Sequence, residues 1–324
     1  MKSHNTPETL KRRIIRCSVD WSNVGIRLID YLAGRFTYRD AAAWSEVVRA
    51  GEIRVNGKPA FPEQVLEMHD LIEYLPEELP EPECDLDYRV AYEDDTLLVV
   101  DKPGNLCIHP SGPFFKHTLW HLLCSKYGNI HFVNRLDRET SGLLIAAKDR
   151  NAASKLQKHV NAVEKCYLAV VHGAFGDEID AAGFLVADEA SAVHKKRRFV
   201  TELPEYAVNA ESCRTLLTPA GKLGDGLSLV RAKLFTGRMH QIRATLRSLG
   251  FPVAGDKLYG VDETLFLKIR SDSFTAEDRK KLIFPRQALH SAELSFIHPV
   301  TRETIRCESP LPPDIGGRPS EAGS

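Results

Sequence analysis

The segment from Val133 to Lys148 joins a charged, turn-forming stretch to the unbroken apolar run Leu143 to Ala147. A run so short and so apolar reads as a buried strand. One carboxylate, Asp137, stands just before it among Arg135, Arg138 and Glu139, where a loop presents side chains to solvent. Thr140, Ser141 and Gly142 supply hydroxyls and a permissive backbone for a tight turn into the strand. A buried strand entered from a charged loop constrains the architecture more than any other stretch. Read from these residues alone, Asp137 is most simply a surface carboxylate paired with its arginine neighbours.

The chain has 324 residues, enough for one or two domains with a sizeable core. Apolar residues at 43% and charged residues at 27% describe an ordinary globular protein. With a net charge of −1, any nucleic-acid binding has to come from local basic patches. No apolar run reaches the length of a membrane span, and Met1 to Arg16 is polar, without a signal-peptide core. The seven cysteines are scattered singly, with neither metal-ligand pairing nor a disulfide framework, which points to reduced thiols in a cytoplasmic protein.

Residues 1–24 read as a flexible arm. Leu28 and Leu32, then Ala43 and Val47, lie four apart and predict two short helices packed together, with Gly51 placed for a left-handed cap. Ile53-Arg-Val55 alternates like a strand and meets Asn56-Gly57, a strong hairpin signal. Between Pro59 and Tyr88 there is no Lys or Arg. Residues 75–87, acidic and carrying Pro76, Pro80 and Pro82, read as an extended linker between domains.

Beyond it, Thr96 to Val100 reads as a buried strand, Lys102-Pro103-Gly104 as a turn, and Thr118 to Cys124 as a short helix. Asp149 is placed to cap a helix running to Val160. In Lys165-Cys-Tyr167-Leu-Ala169-Val-Val171, strand periodicity puts Tyr167, Ala169 and Val171 on one face. His194 to Arg198 is a basic run on a hairpin, and Gly221 to Gly226 reads as a loop. Met239, Ile242, Leu246 and Leu249 make one apolar stripe on a helix, leaving His240, Arg243 and Arg247 on a polar face. The tail 315–324, rich in Gly, Pro and Ser, reads as disordered.

Four separated motifs resemble, in order, the RluA family of pseudouridine synthases. They are Tyr92-Glu-Asp with Asp101-Lys-Pro103 and His109-Pro110; Arg135-Leu-Asp137; Lys165-Cys-Tyr167; and Thr236-Gly-Arg-Met-His240-Gln-Ile-Arg243 with Gly255-Asp256 and Tyr259-Gly260. Asn134 and Thr245 stand where that family usually has His. The resemblance implies an α+β catalytic domain over 88–314, a mixed, mainly antiparallel sheet with flanking helices. It implies a cofactor-independent and metal-independent isomerase with Asp137 as the essential carboxylate, Arg243 as its partner and Tyr167 against the target base. Arg135 would enter the RNA and fill the vacated space. Residues 25–74 resemble the alpha-L RNA-binding fold of a small-subunit ribosomal protein, an α/β-hairpin unit in which Arg35, Arg39, Arg49, Arg54 and Lys58 would contact phosphates. The partner implied is structured RNA, ribosomal or transfer; the added domain favours large-subunit ribosomal RNA. The protein is expected to be a monomer. A catalytically silent RNA-binding assembly factor is the alternative that Asn134 and Thr245 keep open.

Overall fold

Alternation, capping and turn chemistry shape the first unit. The structure, a computed structural model, describes residues 13–316 apart from 38, 78, 79 and 225. Its chain divides into two compact units, Met1–Pro82 and Glu83–Ser324.

In the first unit, β1 (Ile15–Ser18) precedes α1 (Leu28–Arg35), α2 (Ala41–Arg49), β2 (Ile53–Val55), β3 (Lys58–Pro59) and β4 (Leu71–Tyr74). The strands pair antiparallel in the order β1-β4-β2-β3. Asp40 caps α2 by accepting from Ala43 N at 2.8 Å. Asn56 (φ 51°) and Gly57 (φ 77°) turn the hairpin through the left-handed region, as an Asn-Gly pair should. Asp70 locks that turn, accepting from Asn56 Nδ2 at 2.7 Å. Leu28, Leu32, Trp44, Ile53 and Ile72 are sealed in its core.

The arm expected over residues 1–24 needs correcting. Residues 15–18 form an edge strand whose Cys17 pairs with Ile72, and Cys17 and Val19 are both buried. Alternation of Ile15, Cys17 and Val19 supplies one apolar face, which the open edge of β4 draws in. Residues 1–12 lie outside the described residues.

The second unit runs β5 (Arg89–Glu93), β6 (Leu97–Lys102), α3 (Leu119–Tyr127), β7 (His131–Phe132), β8 (Ser141–Ala147), α4 (Arg150–Lys158) and β9 (Glu164–His172). It continues with β10 (Ile179–Ala187), β11 (Arg197–Val200), β12 (Glu211–Gly224), β13 (Leu227–Leu234) and α5 (Gln241–Ser248). It closes with α6 (Thr264–Arg270), α7 (Ala276–Lys281), β14 (Leu289–Ile297), β15 (Thr304–Glu308) and α8 (Pro313–Gly316). All eleven strands join one sheet, with the spine β11-β10-β12-β13-β9-β14-β8-β6-β5. Only β8 and β14 run parallel; the other pairs are antiparallel.

All seven residues of β8 are buried. Its entrance is tight: a Cβ on Gly142 (φ 105°) would stand 2.3 Å from Ser291 O on β14. Only glycine lets the two strands meet immediately behind Asp137.

Three further expectations change. Gly221 to Gly224 continue β12 through bulges against β13, so the glycines bend a long hairpin rather than open a loop. Met239 lies before α5 and is exposed, while His240 takes a left-handed conformation (φ 57°) as the helix N-cap. Arg243 and Thr245 are buried with Ile242 and Leu246, because α5 is covered on its polar side as well. At the C-terminus, Ile315 is fully buried within α8, where apolar packing outweighs the Gly-Pro composition around it. Residues 317–324 lie outside the described residues.

Candidate active site

Asp137 is held by a loop with little freedom. Its own carbonyl accepts from Thr140 N at 3.1 Å, Arg138 O from Lys102 Nζ at 3.0 Å, and Glu139 O from Arg286 Nη1 at 2.9 Å. Three successive carbonyls therefore have three different donors. Arg286 is fixed in turn by Asp314, through Nε at 2.6 Å and Nη2 at 2.9 Å.

Arg243 reaches Asp137 from α5. Its Nη1 donates to Asp137 Oδ2 at 2.7 Å, while Nε and Nη2 fork onto Asp256 at 2.6 and 2.8 Å. Asp256 is itself oriented by the Leu258 and Tyr259 amides, both at 2.9 Å. Burial pushes the Asp137 carboxyl up, but the Arg243 guanidinium outweighs it and holds the group below the usual carboxylate range. Asp137 is therefore an ionised carboxylate at neutral pH, with 35% of its side chain open to the cavity in front.

His240 faces the other carboxylate oxygen, with Nε2 at 3.8 Å from Asp137 Oδ1. Arg197 N donates to Tyr259 Oη at 3.0 Å, and the same hydroxyl is hydrogen-bonded to His240 Nδ1, also at 3.0 Å, which fixes the imidazole beside Asp137. Burial, with Arg243 nearby, pushes His240 below its ordinary value, so the ring is neutral.

Tyr167 projects from β9 into the same cavity, about 590 Å³ in volume, which Arg135, Asp137 and Arg243 also line. Burial pushes its hydroxyl up to about 12, so it stays a neutral ring and hydroxyl. Arg135 stands exposed at the rim and makes no hydrogen bond or ion pair among the described residues. Sites separated by up to 108 positions thus meet in one pocket. On the first unit, Arg35, Arg39, Arg49, Arg54 and Lys58 are all exposed. Arg35 Nε donates to Cys17 Sγ at 3.3 Å, and Arg39 lies over the Trp44 ring at 5.5 Å.

A family model described as RNA pseudouridylate synthase matches residues 96–248. Over 97% of this chain and 94% of the relative, the sequence is 31% identical to ribosomal large subunit pseudouridine synthase D of Xanthomonas campestris pv. campestris. The chain belongs to the RluA family of RNA pseudouridine synthases. It is 34% identical to an uncharacterized RNA pseudouridine synthase of Bacillus subtilis, over 82% of this chain and 88% of that one. The fold matches human RNA Pseudouridylate Synthase Domain Containing 1 with a TM-score of 0.56 and 24% identity, covering 73% of this chain and 89% of that structure.

The two departures of this pseudouridine synthase from its family's pattern point inward. Asn134 Oδ1 accepts from Ile145 N at 2.9 Å and ties the loop to β8. Thr245 is fully buried within α5.

Residue reasoning missed Lys102, His240, Asp256 and Tyr259. All four carried a signal, since they stand inside quoted motifs, but Lys102 was also read as part of a turn. It is fully buried, donating to Pro103 O at 2.8 Å and to Arg138 O at 3.0 Å. Burial, reinforced by Arg286, pushes its pKa down to about 7. Two carbonyls take two of its hydrogens, which is as many as the neutral amine carries. Between pH 7 and 10.5 the unfolded chain binds the proton that the folded one has released, so the contribution of Lys102 to stability rises with pH across that window. Lys102→Met should remove this dependence. Urea unfolding at pH 7 and pH 9.5 is expected to show a parent-minus-variant stability difference that grows with pH.

Proposed function

We propose that this enzyme converts specific uridines of large-subunit ribosomal RNA to pseudouridine, with Asp137 as the essential carboxylate. The observation that carries the reading is the one cavity that ionised Asp137, clamped by Arg243, lines together with Tyr167. Breaking the bond between sugar and ring nitrogen needs one carboxylate at the anomeric face, as nucleophile or as base. Arg243 keeps that carboxylate charged and aimed. A uridine has to leave its helix to reach Asp137, and stacking on Tyr167 offsets part of the unstacking cost. Arg135, exposed and unpartnered at the rim, is the group suited to fill the space the base leaves. The choice of ribosomal RNA rests on relatives named as large-subunit synthases in Xanthomonas campestris and Pasteurella multocida, and on the added first unit. The reading makes the enzyme a cytoplasmic monomer. No helix among the described residues is long and apolar enough to cross a membrane.

The experiment is to map pseudouridines across total RNA from cells with and without the protein. Loss of sites confined to large-subunit ribosomal RNA is expected; loss confined to transfer RNA would refute the choice of substrate, and no loss would refute the activity.

The first unit, in this reading, adds affinity and no chemistry. Removing residues 1–82 should leave a folded second unit, whose hydrophobic core clusters draw on residues beyond that point. Binding should weaken, and each lost phosphate contact lowers the salt slope by about 0.7 to 0.9. Filter binding across a salt series, beside single-turnover rates at saturating RNA, should show looser binding at a nearly unchanged rate.

A further inference from the structure

Lys165 is a buried cation with no carboxylate to answer it. The residue is 4% exposed, and its Nζ donates to Val160 O at 2.9 Å. No ion pair reaches it among the described residues, and burial alone pushes its pKa down. An ammonium has three hydrogens, so one carbonyl leaves two unused. Burying such a group costs stability unless something charged or polar completes it. Lys165 also lines the cavity of Asp137.

Its place along β9 is informative. Lys165 and Tyr167 are two residues apart on one strand, so their side chains share a face about 6.6 Å apart along it. Asp137 lines the same cavity as both. A base stacked on Tyr167, with its sugar at Asp137, occupies the cavity that Lys165 also lines, which leaves its carbonyl-bearing edge to meet the ammonium. A flipped nucleotide enters base first, with its phosphates left at the rim beside exposed Arg135 and Arg238.

We propose that Lys165 holds the detached uracil by stabilising the negative charge that develops on its carbonyl edge. This rests on the reading of Asp137 as the group that opens the glycosidic bond. When the N1–C1′ bond breaks, its electron pair leaves with the uracil, spread over N1 and the exocyclic oxygens. The sugar carbon is bound by Asp137, or becomes part of a double bond after losing its neighbour's proton. The anion turns within the pocket and C5 bonds to C1′ as the Asp137–C1′ bond breaks or, on the other route, as the neighbouring carbon regains its proton from Asp137; the C5 proton then leaves and N1 takes one up. Lys165 is neutralised only while the anion exists, so its interaction is stronger in the transition state than in the resting complex.

The test uses full-length protein and [5-3H]uridine-labelled total RNA from cells lacking it, so that tritium release reads whichever RNA is modified. Lys165→Met and Lys165→Gln should each slow single-turnover release about 100-fold or more at saturation, with the dissociation constant within about twofold of the parent. Lys165→Gln can still donate to Val160 O, which separates charge from support of the fold, and Lys165→Arg should recover most of the rate. A folded Lys165→Gln protein within about threefold of the parental rate overturns the proposal. So does weaker binding with a shallower salt slope at an unchanged rate, which would make Lys165 a phosphate contact. Asp137→Asn is run alongside. If it is inactive while Lys165→Gln is normal, only the role of Lys165 fails; if Asp137→Asn is active, the reading of the site fails first. Absence of release by the parent refutes both.

Discussion

Asp137→Asn is expected to abolish pseudouridine formation while leaving RNA affinity within about threefold of the parent. The substitution removes the reacting charge and almost nothing else. An asparagine oxygen can still accept from Arg243 Nη1, which now bonds to Asp137 Oδ2 at 2.7 Å. Arg243 itself stays forked onto Asp256. The loop keeps its carbonyl anchors at Thr140, Lys102 and Arg286, because none of them touches the side chain. Tritium release from uridine C5 under single-turnover conditions should fall by about a thousand-fold or more. Turnover within tenfold of the parent would remove Asp137 from the mechanism.

Arg243→Met should be costlier, because it strips two carboxylates at once. Asp256 is fully buried and relies on Arg243 for its only ion pair among the described residues, so the variant leaves a buried carboxylate with backbone amides alone. Removing one partner of such a pair costs about 3–5 kcal/mol. The sign with pH follows from the two depressed carboxyls. In the parent, Asp137 and Asp256 contribute stability above the ordinary Asp value of 3.8, lost as pH falls through their lower folded values. In the variant both carboxyls rise, and burial penalises their charged forms. The stability gap should therefore narrow as the pH is lowered through 3.8. The acidic limb of the single-turnover rate should move to higher pH, since Asp137 loses its cation. Adding Asp256→Asn to Arg243→Met should recover much of the stability and none of the activity. A normal rate with an unshifted limb would show that the contact between Asp137 and Arg243 is irrelevant to chemistry.

Parts of this architecture are legible from local rules. The β8 run, the Asn56-Gly57 hairpin and the cap at Asp149 each depend on a few neighbouring residues, so a short stretch of chain is enough to read them. The same rules fail where a partner comes from far away. Residues 15–18 become a strand only because β4, more than fifty residues later, offers an edge. Ile315 is buried by packing that the surrounding Gly and Pro do not announce. Helical periodicity set Arg243 on a polar face, and the face is indeed polar; what covers it is Asp137 and Asp256 instead of water.

By itself the sequence singled out the candidate residues: Asp137 before a buried strand, Tyr167 on an alternating strand, Arg243 on a helix, and a family pattern linking them. Spacing along the chain carries that much because local geometry repeats. Only the tertiary structure decided their company. That Lys102 is buried against two loop carbonyls, that His240 stands beside Asp137, that Asp256 steadies Arg243 and that Lys165 shares the cavity of Tyr167 all depend on burial and on charges brought from distant segments. Desolvation and Coulomb energy are set by distance in space, which no periodicity encodes.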